Sequence, residues 1–155
     1  MSTQKVYTDL ERALMIGGLM VLVVSIVVAV LVANLSISNT GKIVTIGVNA
    51  YSDPAGVNPL TSINWGSRMP GDQATVTAYI KNTSTNLNVT LSLATSNWVP
   101  TVAAKYLTLS WNYTSGYVLT PSKIIPVALT LSVAQNITGV DSFSFTITIT
   151  ATEKT

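Results

Sequence analysis

The side chains that could carry chemistry in this sequence are few. The 155-residue chain contains neither histidine nor cysteine, which removes the commonest general base, the commonest metal ligand and every thiolate site. The acids beyond residue 35 are Asp53, Asp72, Asp141 and Glu153, and turn or terminal roles account for such positions. The sequence also lacks GxSxG, a phosphate-binding loop and a calcium-type acidic cluster. We therefore expect no catalysis, cofactor, metal or small-molecule substrate.

Asn-x-Ser/Thr triplets are the other chemically suggestive pattern. This pattern accepts N-linked glycans on the surface of secreted proteins. The candidate sites are Asn82, Asn88, Asn112 and Asn136, whereas Asn34 adjoins a long apolar segment and is too close to a membrane to be a good acceptor. In a chain this rich in Asn, Ser and Thr, chance alone also produces several such triplets.

Charged residues make up only 9% of the chain, and the net charge is +2. A nucleic-acid-binding protein clusters its Lys and Arg residues on one face or along one element. Here the bases of the C-terminal part are scattered, at Lys42, Arg68, Lys81, Lys105 and Lys123. Nucleic acid is therefore excluded as a partner.

The elements that hold these residues begin with an apolar segment at 13–33. It reads ALMIGGLMVLVVSIVVAVLVA, which is 21 residues without a charge. As a helix it would be about 31 Å long, which matches a hydrocarbon core of about 30 Å. Its Leu, Ile and Val residues alone favour insertion by about 5 kcal/mol. The sequence predicts a cytoplasmic tail or leader at 1–12, a transmembrane helix at 13–35 and a linker at 36–41.

Charge near this segment gives its orientation. Lys5 and Arg12 precede the span, whereas only Lys42 follows it closely. Positive charge concentrates on the cytoplasmic side of membrane proteins. The N-terminus is therefore expected in the cytoplasm, with the C-terminal domain outside the membrane.

The start of the apolar segment carries a motif. Glu11-Arg12-Ala13-Leu14-Met15 resembles the class III signal of archaeal pilins and archaellins, in which a charged and a small residue precede the cleavage point. The resemblance implies a cut between Ala13 and Leu14. The leader departs from the usual strongly basic pattern because it contains Asp9 and Glu11, so an uncleaved signal anchor stays the alternative.

Small residues follow one another on one face of the predicted helix. The interval from Gly18 to Ser25 is seven residues, which is about two helical turns. Ala29 and Ala33 follow Ser25 at intervals of four residues, which is about one turn each. Such faces let helix backbones approach closely in lipid or in a filament core. These residues are candidates for helix–helix packing, although small residues are also common in membrane spans that pack against nothing.

Beyond residue 41 the pattern changes to alternation of apolar and polar side chains. It covers seven segments, at 42–51, 74–82, 87–93, 107–111, 117–119, 125–133 and 143–151. Alternation between turn signals predicts strands that each bury one face. The expected fold of 42–152 is a seven-stranded antiparallel β-sandwich, preceded by one transmembrane helix. Pro126 predicts that its strand lies at an edge or begins irregularly.

Aromatic motifs in this part carry a second resemblance. Asn64-Trp65-Gly66, Asn97-Trp98-Val99-Pro100, Leu109-Ser110-Trp111-Asn112-Tyr113 and Ser142-Phe143-Ser144-Phe145 resemble a small immunoglobulin-like domain of membrane-anchored archaeal surface proteins. The resemblance implies an Ig-like fold outside the cell, and no chemistry. The three tryptophans are expected in the core or at its open ends, Trp111 most firmly. An exposed ligand platform is the alternative.

Two functions fit these patterns. The first is a single-pass surface module with a structural, adhesion or assembly role, whose partners are membrane lipid and other surface proteins, including further copies of itself. The second is a pilin-like subunit whose helix forms a filament core after cleavage. Uncharged outward rows such as Ser144, Thr146, Thr148 and Thr150 favour pairing between subunits, because charged protection of the sheet edges is sparse.

Overall fold

A computed structural model describes residues 38–155 of the chain. The strands are β1 (Ser38–Ile46), β2 (Val48–Tyr51), β3 (Ser62–Asn64), β4 (Gln73–Asn82), β5 (Val89–Val99), β6 (Leu107–Trp111), β7 (Ile124–Val133) and β8 (Ser142–Glu153), and a 3-10 helix spans Thr101–Lys105. They form two four-stranded sheets, ordered β3-β1-β8-β5 and β2-β4-β7-β6. The predicted all-β architecture is confirmed for this part, as two sheets around a shared core.

The helix predicted at 13–35 lies outside the described residues. Within residues 38–155, no helix has the length and apolarity that a membrane crossing requires.

The core is built from alternate side chains of the two longest central strands. Apolar residues at every second position are buried, and the polar residues between them face away from the core. Each fully buried Leu, Ile or Phe contributes about 1.5–3 kcal/mol relative to an exposed one. The buried residues are Val127, Leu129, Leu131 and Val133 on β7 and Phe143, Phe145, Ile147 and Ile149 on β8.

The single strand predicted at 42–51 is wrong, because Gly47 divides it between the two sheets. Gly47 has a φ of +75°, a left-handed conformation that costs little only for glycine. In β1 the odd positions Asn39 and Ile43 are buried, whereas in β2 the even positions Val48 and Ala50 are buried. The buried face therefore changes at the glycine, where the chain crosses from one sheet to the other.

The fully antiparallel arrangement is also wrong. β1 runs parallel to β8, in register from Ser38↔Ser142 to Ile46↔Thr150, while β2 pairs antiparallel with β4. β1 can run parallel to β8 because the described chain begins beside the last strand and then crosses at Gly47 into the opposite sheet. The first and last strands of the domain are thus direct neighbours.

The number of strands differs from the expected seven. Residues 117–119 form only an isolated bridge, Val89↔Leu119, because the chain is just leaving a turn closed by Tyr117 N–H on the Thr114 carbonyl. β3 was not predicted, since it has three residues with Ile63 alone buried. Such a strand is too short to show periodicity.

Pro126 lies in an interior strand, since β7 lies between β4 and β6, so the edge strand predicted from this proline is wrong. Pro126 faces Tyr79 of β4 on one side, whereas β6 covers β7 only from Leu129 to Val133. The next donor toward β6, Ala128 N–H, bonds Asn112 Oδ1 at 2.8 Å. The proline therefore stands where β7 has no neighbouring strand to accept a hydrogen bond.

Asp53 organises the loop between β2 and β3. Its carboxylate accepts backbone N–H groups from Asn58 at 2.6 Å, Ala55 at 3.0 Å and Val57 at 3.2 Å. These bonds, the one from Asn58 above all, hold the pKa of Asp53 below its ordinary value. Asp72 closes a turn by accepting Met69 N–H at 2.8 Å. The turn roles predicted for these two acids are confirmed.

We expect the melting temperature to be nearly constant between pH 5 and 8 and to fall in acid. The chain has no histidine, and a carboxyl whose pKa is lowered by folding stabilises the fold above its unfolded pKa of about 3.9. That stabilisation disappears as the pH falls through the lower, folded value. Asp53→Asn should melt below the parent at pH 7, and the difference should shrink below about pH 4. Differential scanning calorimetry across pH measures both.

Asp141→Asn is the control for this prediction, because Asp141 is exposed. Its melting temperature should follow that of the parent chain at every pH. A shift of many degrees between pH 5 and 8 in the parent would contradict the expectation.

Candidate functional site

Asn82, predicted as a glycan acceptor, is a core residue. It is fully buried at the end of β4, and its Nδ2 donates to the carbonyls of Leu87 at 2.8 Å and Leu119 at 3.0 Å. Its Oδ1 accepts Ser84 N–H at 2.9 Å. The atom that would carry a glycan is therefore enclosed and bonded twice, so this prediction is wrong for the folded domain.

The other three predicted acceptors lie on the surface. Asn88, Asn112 and Asn136 are exposed. Asn112 uses its Oδ1 to accept Ala128 N–H, which leaves the glycan-bearing Nδ2 out of that bond. Glycosylation at these three positions stays a prediction.

The remaining predicted sites lie outside the described residues. They are the cleavage residues Arg12, Ala13 and Leu14 and the helix-packing residues Gly18, Ser25, Ala29 and Ala33. In the part of the chain that the structure describes, no three His, Cys, Asp or Glu side chains come together as metal ligands.

The three tryptophans occupy different depths. Trp65, which follows β3, is 1% exposed and belongs to the core, whereas Trp98 and Trp111 are half-buried. The core position expected most firmly for Trp111 holds only in part, because its ring packs against the core but is not fully buried. Alternation placed it on the core face correctly, but β6 is the last strand of its sheet, and the core is open beside it.

A bulge in β5 directs Trp98 onto the core. Ser96 pairs with Thr146 and Val99 with Ser144, so three steps along β5 match two along β8. Asn97 has a positive φ of 54° within this irregularity. An extra residue reverses which side chains face inward. The Trp98 ring consequently stacks on Phe145 with centroids 4.1 Å apart and closes that end of the sandwich.

A groove lined by apolar and uncharged polar side chains opens along the side of the sandwich where β5 and β6 lie. Both are the last strands of their sheets, so no strand covers the core between them. The groove has a volume of about 410 Å³. None of the described residues that line it is charged. They are Leu91, Ser92, Leu93, Leu109, Ser110, Trp111, Tyr113 and Ser115.

Tyr113 divides this groove from a second hollow. Its hydroxyl accepts Leu91 N–H at 3.0 Å and donates to the Tyr117 carbonyl, and its ring lies 5.0 Å from Trp111. The hollow, of about 250 Å³, is lined by Asn112, Tyr113, Thr114, Tyr117, Ile125, Pro126 and Val127. The groove and the hollow together form a face of aromatic, aliphatic and uncharged polar side chains, which we call the open side.

Some backbone N–H and carbonyl groups of β5 point away from β8 toward the open side. Val89 bonds away from β8 to Leu119 through both its N–H and its carbonyl, and Leu91 N–H does so to Tyr113. Because outward and inward bonding alternate along an antiparallel strand, Leu93 and Thr95 also direct their backbone groups outward. Among the described residues, these groups face no strand.

The chemistry of the open side is that of recognition. The groove has no charged lining residue to pair with a carboxylate, a phosphate or a cation. It can bury apolar side chains, while the outward N–H and carbonyl groups of β5 can pair with an extended chain. Sequence reasoning missed this site. The sequence feature that pointed to this site is the absence of charged residues from β5 and β6, since edge strands usually carry one.

Comparison with known proteins does not assign the chain to a family. No protein-family model matches it, and no curated protein matches its sequence.

Proposed function

We propose that the chain is a single-pass, membrane-anchored surface module with a structural, adhesion or assembly role and no catalytic activity. The uncharged segment at 13–33 supports the anchor, and an all-β domain follows it. In this proposal the N-terminus is cytoplasmic, and residues 42–152 lie outside the membrane.

An Ig-like fold is part of the proposal. In immunoglobulin sandwiches one sheet has the strand order A-B-E-D, and the order β2-β4-β7-β6 supports that correspondence. In the other sheet β5 and β8 correspond to C and F, but β1, the first described strand, stands in the place of G and runs parallel to β8. β5 is the last strand of its sheet, as strand C is in a seven-stranded immunoglobulin sandwich. The resemblance to archaeal membrane-anchored surface proteins is likewise part of the proposal.

The open side carries the proposal of an assembly role. Soluble domains protect long edge strands with charges, prolines or covering segments. β5 instead has eleven residues and no charge, and it borders an uncharged groove whose lining includes half-buried Leu93, Leu109 and Trp111. A protein partner would both form hydrogen bonds with the exposed backbone of β5 and cover the groove.

A pilin-like subunit is the second candidate. Arg12-Ala13-Leu14 at the start of the apolar segment favours it, as does the row formed by Gly18, Ser25, Ala29 and Ala33, which suits helix packing in a filament core. In this form the chain is extracellular, and its helix leaves the membrane after cleavage.

N-terminal sequencing of the native protein distinguishes the two candidates. The anchored module begins at or near Met1, whereas the pilin-like subunit begins at Leu14. Extraction is an independent measurement, because an anchored module requires detergent, and filaments shear from cells without it. Recovery of the full-length chain from the cytosol without detergent would overturn both.

A further inference from the structure

We propose that two copies of the chain pair antiparallel through β5, with Ala94 of one copy facing Ala94 of the other across a two-fold axis. The pairing joins two β3-β1-β8-β5 sheets into one eight-stranded sheet. This inference rests on the proposed assembly role and names the partner of that role as a second copy.

The outward backbone groups set the register. Leu93 and Thr95 direct their N–H and carbonyl groups away from β8, and Ala94 directs its own toward β8, where it faces Thr148. An antiparallel copy satisfies them when Leu93 of each chain stands opposite Thr95 of the other. This register uses all four groups in each copy and gives four intermolecular hydrogen bonds.

The exposed face of β5 suits a second copy. Ser92, Ala94 and Ser96 point away from the core and are exposed. In this register Ser92 faces Ser96 of the other copy, and Ala94 faces its equivalent. Like charges placed opposite each other on neighbouring strands destabilise the pair, and here no charge stands opposite another. An isologous contact of this kind is self-complementary.

The groove accounts for the side chains on the other face. Leu93 points toward the core side of the sheet and lines the groove while it stays half-buried. A paired copy places its own Leu93 and Thr95 on that same side, next to Leu109 and Trp111 at the groove mouth. The second copy therefore covers apolar surface as well as backbone.

The ends of β5 limit the contact to its middle. Leu119 occupies the outward groups of Val89, and Tyr113 occupies Leu91 N–H. At the other end the bulge after Ser96 ends the regular register. Only the stretch around Ala94 has outward backbone groups left to pair with a second copy, so the contact is short. A short contact favours a closed dimer over a continuous array of strands.

Cysteine cross-linking tests the register. The chain has no cysteine of its own, so Ala94→Cys introduces a single thiol. Residues facing each other in a non-hydrogen-bonded antiparallel pair have Cα atoms about 4.5 Å apart, which is within disulfide range. Under mild oxidation of the full-length chain in its membrane, the disulfide-linked dimer should form at least about tenfold faster than for Ser144→Cys.

Ser144→Cys is the matched control, because Ser144 is exposed on the same face but lies on β8, with a strand on either side. Equal rates for the two variants would overturn the pairing.

Charge exchange provides a second measurement that does not involve oxidation. Ala94→Lys or Ala94→Glu alone places like charges opposite each other and should weaken dimerisation of the full-length chain in detergent at least tenfold. A mixture of the two variants should restore it, which analytical ultracentrifugation can measure. Unchanged dimerisation of the single variants, or no recovery in the mixture, would overturn the proposal.

The two proposals fail in different ways. A chain that is membrane-anchored but monomeric, with slow cross-linking at Ala94, refutes the β5 pairing and leaves the surface module standing. A chain that dimerises through Ala94 but is found in the cytosol refutes the surface module instead.

Discussion

Asn82→Ala is expected to lower the free energy of unfolding by about 1–3 kcal/mol, the cost of leaving a buried polar group without a partner. The substitution removes three hydrogen bonds, but the Leu87 carbonyl still accepts Ser84 Oγ and the Leu119 carbonyl still accepts Val89 N–H. Only the N–H of Ser84 loses its one partner. The three groups that Asn82 bonds belong to two different loops that meet at the end of β4. Urea unfolding followed by circular dichroism measures the loss.

Asn88→Ala is the matched control, since it also removes an Asn-x-Ser/Thr triplet. Asn88 is exposed, and substitutions at such positions usually change stability by no more than about 0.5 kcal/mol. The glycan mass carried by the native protein should be unchanged by Asn82→Ala, because a buried amide carries no glycan. Equal stability losses for the two variants, or loss of a glycan from Asn82→Ala, would contradict the structural role of Asn82.

Trp65→Ala is expected to cost about 3–5 kcal/mol, the range for truncating a large buried aromatic side chain. The indole is 1% exposed and lies directly against β1, where a Cβ on Gly41 would stand 3.0 Å from its Nε1. Backbone this close to the ring cannot move far to fill the space. The cavity should therefore persist, and its cost should remain in the measured free energy of unfolding.

Trp65→Phe and Trp111→Ala are the controls for this prediction. The Trp65 Nε1 has no hydrogen-bond partner among the described residues, so phenylalanine keeps an aromatic ring and removes an unpaired donor. It should lose less than half as much stability as alanine. Trp111→Ala should cost less than about 2 kcal/mol, because that ring is half-exposed at the groove. A Trp65→Ala loss below 1 kcal/mol would exclude Trp65 as a core anchor.

Long alternation located three strands almost to the residue. The segments predicted at 74–82, 125–133 and 143–151 correspond to Gln73–Asn82, Ile124–Val133 and Ser142–Glu153. In each, at least four alternate side chains contribute to one face, and burying that face decides the strand. Alternation does not reveal which sheet a strand joins, so the crossing at Gly47 and the parallel neighbour of β1 could not be foreseen.

The candidate site was less accessible to sequence reasoning, because it depends on which strands end the sheets. A groove between β5 and β6 exists only once both are known to be edges. Asn82 illustrates the same difficulty, since its triplet is identical in kind to exposed ones. The available signal was local, because Asn at the end of a strand commonly bonds the backbone of the following turn. The bulge at Asn97 had a similar signal, as Asn tolerates a positive φ.

The parallel neighbourhood of β1 and β8 determines how the domain resists force. Tension applied between the N-terminal end of β1 and the C-terminal end of β8 pulls two parallel strands in opposite directions along their length. Their interstrand hydrogen bonds, along the register from Ser38↔Ser142 to Ile46↔Thr150, are then loaded together in shear, whereas an antiparallel terminal pair would unzip one bond at a time. A domain tethered by its N-terminus would yield at high force in single-molecule pulling, and rupture at the low forces of an unzipping hairpin would contradict this geometry.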